Sequence, residues 1–499
     1  MIPVYLTAGI REIERQAAAL SEAPNLMEKA GLAAAQIIRD QLLRRSCCHV
    51  LVLAGPGNNG GDAFAVARYL REWGNIVSVS CIADADRVPT DAKRAMQSWL
   101  ASGGEIHANI PDGEQAWDAI VDGLFGIGID QSANRRIDGK YLTWIQTANC
   151  LNAPIISLDI PSGLGSDNGC VYGAAIHATI TVTFIGLKPG LYTNFGPEYS
   201  GRIVLCDLNI QLAAPPEPSI WLLDQSLANT LLPLPRTANS HKGSFGNVAI
   251  LGGSNGMVGA ALLAGRSALW LGAGRVYAGL LSDTAPPVDY VQPELMLRTP
   301  SDLLALTPLH CLVAGPGFGN SPQALSWLEI ALSSESALVL DADALNLIAQ
   351  HPALARMLGQ RKAPSILTPH PAEAARLLNT DTAAVQNNRM DAAYKIAQRF
   401  NCYAVLKGAG SICCFSDGRR YLNTSGNPGL SSAGTGDVLA GMIGALIAQG
   451  LEPGNALLLA VYLHGAAADR LLREHHGPLG MVASEIITAA RSLLNEWIY

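Results

Sequence analysis

With 499 residues, the chain exceeds what one hydrophobic core serves, so two domains of roughly 200 to 300 residues are expected. Hydrophobic residues at 49%, charged residues at 15% and 50 glycines exclude a disordered or coiled-coil chain and point to an α/β globule. A net charge of -7 offers no general attraction for nucleic acid or an anionic membrane, so neither is an expected partner and any polyanionic ligand must be held locally.

The stretch MIPVYLTAGIREIERQ has no basic run leading into an apolar core, which argues against a secretory signal. Long apolar windows are broken by Arg266, His464 or turn glycines before they reach spanning length. A cytoplasmic protein is the expectation. Short β-branched runs then alternate with helical stretches: HVLVLAG, DAFAVARYLREWG, IVSVSCI, AIVDGLFG, APIISLDIP and ATITVTFIG. That alternation predicts βαβ units around a parallel sheet. Clustered prolines in LAAPPEPSIWLLD, Leu212 to Asp224, interrupt it and mark a linker between domains 1–215 and 224–499. The same grammar restarts with NVAILGGS, CLVAGPGFG, ALVLDADAL, PSILTPHP and YAVLKGAGS, and two long helical patterns follow, Asp437 to Gln449 and Ala456 to Leu472. The ten cysteines include no Cys-x-x-Cys, so reduced, mostly buried thiols are expected rather than a metal or redox motif.

In LAGPGNNGGDAF, Leu53 to Phe64, a strand runs through a glycine turn into a helix, whose free N–H groups suit a phosphate. Asn58 and Asn59 add side-chain amides that a bare turn does not need. Further on, VDGLFGIGIDQS brings Asp122 and a second glycine loop, and SLDIPSGL brings Asp159 and Ser162. Asn59, Asp122 and Ser162 would offer hard oxygen ligands to an alkali or alkaline-earth cation. Each acid alone is more often a cap or a turn former.

Together these segments resemble the N-terminal domain of the NAD(P)H-hydrate repair proteins, the YjeF family. The resemblance implies a Rossmann-like, three-layer epimerase that interconverts the R and S forms of hydrated NADH and NADPH (NADHX and NADPHX). Asn58, Asn59, Gly60, Gly61 and Asp62, with Gly126, Ile127, Gly128, Ile129, Asp130, Gln131 and Ser132, would carry the dinucleotide. A potassium ion would sit on Asn59, Asp122 and Ser162, and Asp159 would contact substrate and move a proton. Ala63 stands where that family usually has a further glycine, and Asp130 where a basic residue is frequent.

In NPGLSSAGTGDVLAG, a helix beginning near Gly434 to Asp437 presents unpaired N–H groups and a positive dipole end, an anion hole that needs no lysine. Asp437 is either the cap of a helix starting at Val438 or the base for a substrate hydroxyl attacking a phosphoryl group. VLKGAGS places Lys407 before glycines, as a phosphate holder or as a solvated lysine in a hairpin. TPHPAEAARLL fixes His370 between two prolines, facing inward as a ligand contact or a structural donor.

With GGSNGMVGAALLAGRSALWLGAG, GPGFG and DADALN, these stretches resemble the dehydratase domain of the same repair proteins, a ribokinase-like α/β fold. The resemblance implies that Ala260, Gly319, His370 and Asp437 contact the hydrated nucleotide. Lys407, Gly408, Ala409, Gly410, Ser411 and Gly436 would hold ADP or ATP, the phosphoryl donor, with Mg2+ on its phosphates. Trp270-Leu271 departs from the usual Arg, and Ser411 replaces a common Thr. A ribokinase-like sugar or vitamin kinase would use the same anion hole, and a nucleotide-sensing protein would bind without turnover. An acid facing the phosphoryl group argues against the second, and the fused first domain against the first. A homo-oligomer is the expected assembly.

Overall fold

The computed structural model describes residues 1–43, 47–82, 88–111, 116–129, 136–218 and 220–499. It contains two compact units, one of Pro3–Ser219 and one of Ile220–Tyr499 with Met1–Ile2.

In the first unit the strands are β1 (His49–Ala54), β2 (Ile76–Cys81), β3 (Ile106–His107), β4 (Ala119–Gly123), β5 (Ile155–Leu158), β6 (Ile180–Phe184) and β7 (Arg202–Cys206). They form a seven-stranded sheet in the order β3-β2-β1-β4-β5-β6-β7, parallel throughout. Both faces are covered, which is why β1 reads as an unbroken apolar run. Val50, Val52 and Ala54 pack on one side with Ile38 and Phe64. Leu51 and Leu53 pack on the other with Trp117 and Trp144, as the two-residue period requires. The chain winds outward from β1, then returns to β4 on its opposite side. That reversal leaves a crevice at the carboxyl ends of β1 and β4.

In the second unit the strands are β8 (Ile220–Leu223), β9 (Asn247–Gly252), β10 (Arg275–Leu280), β11 (Met296–Arg298), β12 (Cys311–Ala314), β13 (Ala337–Leu340), β14 (Ser365–Leu367), β15 (Tyr403–Leu406), β16 (Ile412–Cys414) and β17 (Arg420–Asn423). Their order is β8-β17-β16-β15-β14-β13-β12-β9-β10-β11. The run from β15 to β11 is parallel, and β16 pairs antiparallel with both neighbours. This antiparallel excursion lies beyond the purely parallel pattern read from the sequence. Ile220–Leu223, placed in the linker by its prolines, is a strand paired with β17. A second reversal lies between β9 and β12.

The helix Thr435–Ala448 is apolar nearly all round and buried from Val438 to Ala448, as such a composition demands. Its Gly441 lies against the helix Val258–Trp270 so closely that a Cβ would stand 2.1 Å from the Ala264 carbonyl oxygen. Ser267 Oγ donates to the Val438 carbonyl at 2.8 Å. These contacts fix the depth at which the amino end of the helix meets the strand ends. All ten cysteines are free thiols, and eight of them are at least partly buried in the sheets and loops while Cys47 and Cys150 are exposed. Among the described residues, no helix is long and apolar enough to cross a membrane.

Candidate active sites

In the first unit, the carboxyl ends of β1, β4, β5 and β6 and the segments that follow them supply the polar groups of the candidate site among the described residues. The helix Asn58–Glu72 starts after Gly57; Asn58 is exposed, and Asn59 turns inward with 7% exposure. Both amide atoms of Asn59 are buried without a hydrogen-bond partner among the described residues. A buried amide is seldom left so unless a ligand completes it. Asp122, at the end of β4, accepts from Ser157 Oγ at 2.7 Å, Ser162 Oγ at 2.5 Å and the Ser162 N–H at 2.9 Å. Burial pushes its carboxyl up in spite of these donors.

Asp159 follows β5 with φ of 67°, a conformation few non-glycine residues adopt. Its Oδ1 receives the ammonium of Lys188, which is wholly buried and also donates to Thr183 Oγ1 and the Phe184 carbonyl at 2.8 Å each. A Cβ on Gly126 would lie 3.3 Å from both Asn59 Oδ1 and Asp159 Oδ2. The glycine loop therefore covers the pair directly. Burial, then the charges of Asp159 and Glu14, push the Asp62 carboxyl well up.

Asn59, Gly126 and Asp159 thus converge, as do Asp122 and Ser162. Gly60 and Gly61 are buried in the first helical turn, while Ile127, Gly128 and Ile129 continue the covering loop. Asp130, Gln131 and Ser132 lie outside the described residues. Ala63 faces the sheet: its methyl would be 2.5 Å from a Cβ on Gly123, so its departure from glycine is absorbed by a glycine opposite. Lys188, hidden in GLKPG, carried no signal in the sequence apart from its charge within an apolar run.

In the second unit, the candidate site is assembled from the carboxyl ends of β9, β12, β13, β14 and β15. After β9 and β12, Gly253 N–H donates to the Pro316 carbonyl at 2.9 Å and Ser254 N–H to that of Gly317 at 2.7 Å. This brings the Ala260 methyl to 3.2 Å from a Cβ position on Gly317 and Ser254 Oγ to 3.0 Å from that of Gly319. Gly319 N–H donates to Asp343 Oδ2 at 2.9 Å. After β15, Lys407 Nζ pairs with the buried Asp341 at 2.7 Å, so it is not the solvated lysine of a hairpin. The ammonium lies 3.2 Å from a Cβ position on Gly436, and Asp341 Oδ2 lies 3.5 Å from it. A side chain there would fill the cradle between the lysine and the helix start. Ser411 Oγ donates to the Gly408 carbonyl at 3.0 Å and holds the Lys407–Ser411 loop.

The helix opens at Thr435 after Gly434, whose φ is 87°, and no side chain caps it. Asp437 lies in the first turn, not at the capping position, so it is not the cap of a helix starting at Val438. Its carboxyl is pushed up to about 7 by burial, then by the charge of Asp341, against the pull of Lys407. A group poised near neutrality is suited to take a proton.

His370 is placed otherwise than expected. Its side chain is 48% exposed, and it caps the helix Pro371–Leu378: Nδ1 accepts from the Ala372 and Glu373 N–H groups at 3.1 and 3.4 Å. Its Nε2 lies 3.2 Å from Glu373 Oε1. With one nitrogen accepting and the other facing a carboxylate, the ring is a donor at the site rim rather than an inward-facing group. Burial pushes Glu373 up to about 7. Lys407 N–H donates to the Pro369 carbonyl at 2.9 Å, which sets His370 beside the lysine. Asp341, Asp343 and Glu373 lie inside motifs that the sequence marks, but alternation and helix patterns do not distinguish them from ordinary caps.

A cavity of about 940 Å³ lies elsewhere on this unit, lined in part by Arg236, Trp270, Gln449 and Tyr499. Trp270, the departure from Arg, donates there to Gln292 at 2.8 Å and stacks under Arg491.

Comparison with known proteins matches residues 248–491 to the family described as NAD(P)H-hydrate dehydratase and residues 23–190 to that described as YjeF-related protein N-terminus. The chain is 36% identical to the bifunctional NAD(P)H-hydrate repair enzyme Nnr of Escherichia coli (strain K12), over 99% of this chain and 94% of that one. It is 34% identical to the bifunctional NAD(P)H-hydrate repair enzyme of Leishmania major, over 99% and 93%. Among solved structures, the ADP/ATP-dependent NAD(P)H-hydrate dehydratase from Bacillus subtilis, co-crystallized with ATP/Mg2+, is similar at 31% identity and a TM-score of 0.50, covering 56% of this chain and 99% of that one. The expected Rossmann-like and ribokinase-like halves agree with these matches.

Proposed function

The chain belongs to the bifunctional NAD(P)H-hydrate repair enzymes, and on that premise we propose how its two sites divide the work. The first unit epimerises the R and S hydrates of NADH and NADPH. The second returns the S hydrate to the dihydronicotinamide at the expense of ADP or ATP.

The observation that carries the second assignment is Asp437, its carboxyl near neutrality, in the first turn of a helix whose N–H groups are uncapped. Hydroxide is a poor leaving group. In the proposed sequence, the hydrate hydroxyl attacks the terminal phosphorus of the nucleotide, its proton passes to Asp437, and the bond to the bridging oxygen breaks. The amides of Thr435, Gly436 and Asp437 face the charge that gathers on the phosphoryl oxygens. Phosphate then leaves with the C–O electron pair while the ring nitrogen supplies electrons to the carbon. Loss of the neighbouring carbon-bound proton restores the double bond. Lys407, Gly408, Ala409, Gly410, Ser411 and Gly436 hold the nucleotide, and Ala260, Gly319 and the rim donor His370 hold the hydrate. Among the described residues, no three acid, histidine or cysteine side chains converge on a metal cage, which suits Mg2+ held mainly by nucleotide phosphates. When bound, Mg2+ supplies charge neutralisation to those phosphates.

In the first unit, Asp159 contacts the hydrate and moves the proton when the C–O bond opens and reforms on either ring face. Lys188 holds that carboxylate in place. The orphaned Asn59 amide, the Asp122 carboxylate and Ser162 Oγ are hard donors that would hold K+, which would supply positive charge to this site. Asn58, Asn59, Gly60, Gly61 and Asp62 and the Gly126–Ile129 loop bind the dinucleotide.

The test is to incubate the full chain with both hydrate epimers and either ADP or ATP, following dihydronicotinamide absorbance. Both epimers should be consumed, with inorganic phosphate released only when hydrate is present. A stable phosphorylated product would instead favour a small-molecule kinase. Asp437→Ala should retain nucleotide binding and lose dehydration; an unchanged rate would remove Asp437 from the mechanism.

A further inference from the structure

We propose that the turn Asp341-Ala342-Asp343, at the end of β13, is a positioning element that joins the two ligand sides of the second site, with Asp341 fixing Lys407 and Asp343 fixing Gly319. The proposal rests on the dehydratase reading of that site.

Asp341 stands where a helix cap would stand, just before the helix Ala342–Gln350, yet its side chain makes no bond to that helix. It turns instead to Lys407 at 2.7 Å and lies against the first turn of the helix that bears Asp437. Asp343, two residues on, reaches the other way, to the N–H of Gly319 at 2.9 Å. Between the two acids stands Ala342, whose φ of 49° is in the left-handed region, a conformation that a residue with a Cβ adopts only at a cost. Strain kept at such a point calls for a function.

A buried carboxylate beside a phosphate site repels the ligand, so binding alone would select against Asp341. Its placement explains what it does instead. It holds the ammonium across the mouth of the anion hole, and it keeps a negative charge facing Asp437. The charged or titratable groups around Asp437 are Asp341 and Asp343 from this turn and Lys407 from the end of β15. Glu373 and His370 stand behind Lys407. His464, from the helix Pro453–Glu474, is bonded to the Thr435 carbonyl at 2.9 Å. When phosphates draw on Lys407, Asp341 faces Asp437 with less positive charge between them. The base is then strengthened as the hydroxyl must lose its proton.

The experiment uses the full chain with Asp341→Asn, Asp343→Ala and Asp343→Asn. Dissociation constants for ADP and for the S hydrate are measured by calorimetry, and dehydration is followed as a function of pH. Asp341→Asn, whose amide oxygen can still accept from Lys407 Nζ and so keeps the lysine held, should bind ADP more tightly, by about threefold or more, because a repelling charge is gone. Its acid limb of kcat/KM should move down by about one pH unit, the scale of a neighbouring like-charge effect. Asp343→Ala should weaken hydrate binding by about fivefold or more and leave ADP binding unchanged, and Asp343→Asn, which keeps an acceptor oxygen, should restore most of the loss. Damage to structure alone would weaken ADP binding in Asp341→Asn. That result, an unmoved acid limb, or equal losses for both ligands in Asp343→Ala overturns the proposal. If wild type fails to dehydrate, the functional reading falls, while the calorimetry still decides the role of the turn.

Discussion

Replacing Asp437 by Asn should stabilise the ligand-free protein at pH 8 by clearly more than it does at pH 5. Asp437 has a carboxyl pKa of about 7 in the folded chain against an ordinary value of 3.8. Between those values the unfolded chain has released its proton while the folded one keeps it, so each pH unit climbed costs the fold about 1.4 kcal/mol. Below both values the penalty vanishes; above the folded value it is complete. Between pH 5 and pH 8, wild type should therefore lose about 2–3 kcal/mol relative to Asp437→Asn, which is neutral throughout and of the same shape. Glu373, also raised to about 7, is present in both proteins and cancels. Heat or urea unfolding of both proteins at the two pH values measures the effect, with a widening of the melting gap on the order of 5 °C. The same variant should dehydrate the hydrate about 100-fold more slowly or worse. A gap that is equal at both pH values, or a variant less stable than wild type at pH 8, would refute the claim that a buried, repelled carboxylate is maintained there for chemistry.

Lys188→Met should leave Asp159 buried without its cation, costing about 3–5 kcal/mol and slowing epimerisation about tenfold or more; urea unfolding and epimer chromatography check this, and adding Asp159→Asn should recover stability without activity. Gly441→Ala would put a methyl 2.1 Å from the Ala264 carbonyl oxygen, a backbone atom that cannot yield, so unfolding should show a loss of about 1–3 kcal/mol and dehydration should fall. His464 is buried, and that burial lowers its pKa from 6.5 to about 4. Its contribution is present above pH 6.5 and lost as pH falls toward 4, so His464→Gln should flatten roughly 3 kcal/mol of acid destabilisation in that window, as read from melting curves.

What the sequence shows and what it hides both follow from how this fold builds a site. The strands β1, β4, β9 and β12 are legible because burial on both faces forces continuous apolar runs, and the glycines after them are legible because ligand loops at strand ends admit little side chain. Asp437 and Asn59 stand inside those glycine loops and are read with them. The partners of these loops are not legible, because each is set by a contact across the sheet: Asp341 is 66 residues from Lys407 and Asp343 is 24 from Gly319, while Lys188 is 29 from Asp159. In one dimension Asp341 has the pattern of a helix cap, and no residue preference announces the left-handed Ala342 that follows it. His370 fails for the opposite reason. Its local sequence is a strong capping signal, His-Pro-x-Glu, and local bonding wins, leaving the ring half-exposed at the rim where flanking prolines alone suggested an inward-facing one. Parallel sheets thus place a site's glycines where sequence can mark them and its charge partners on neighbouring strands where it cannot, so the acids that tune Asp437 become identifiable only once strand order is known.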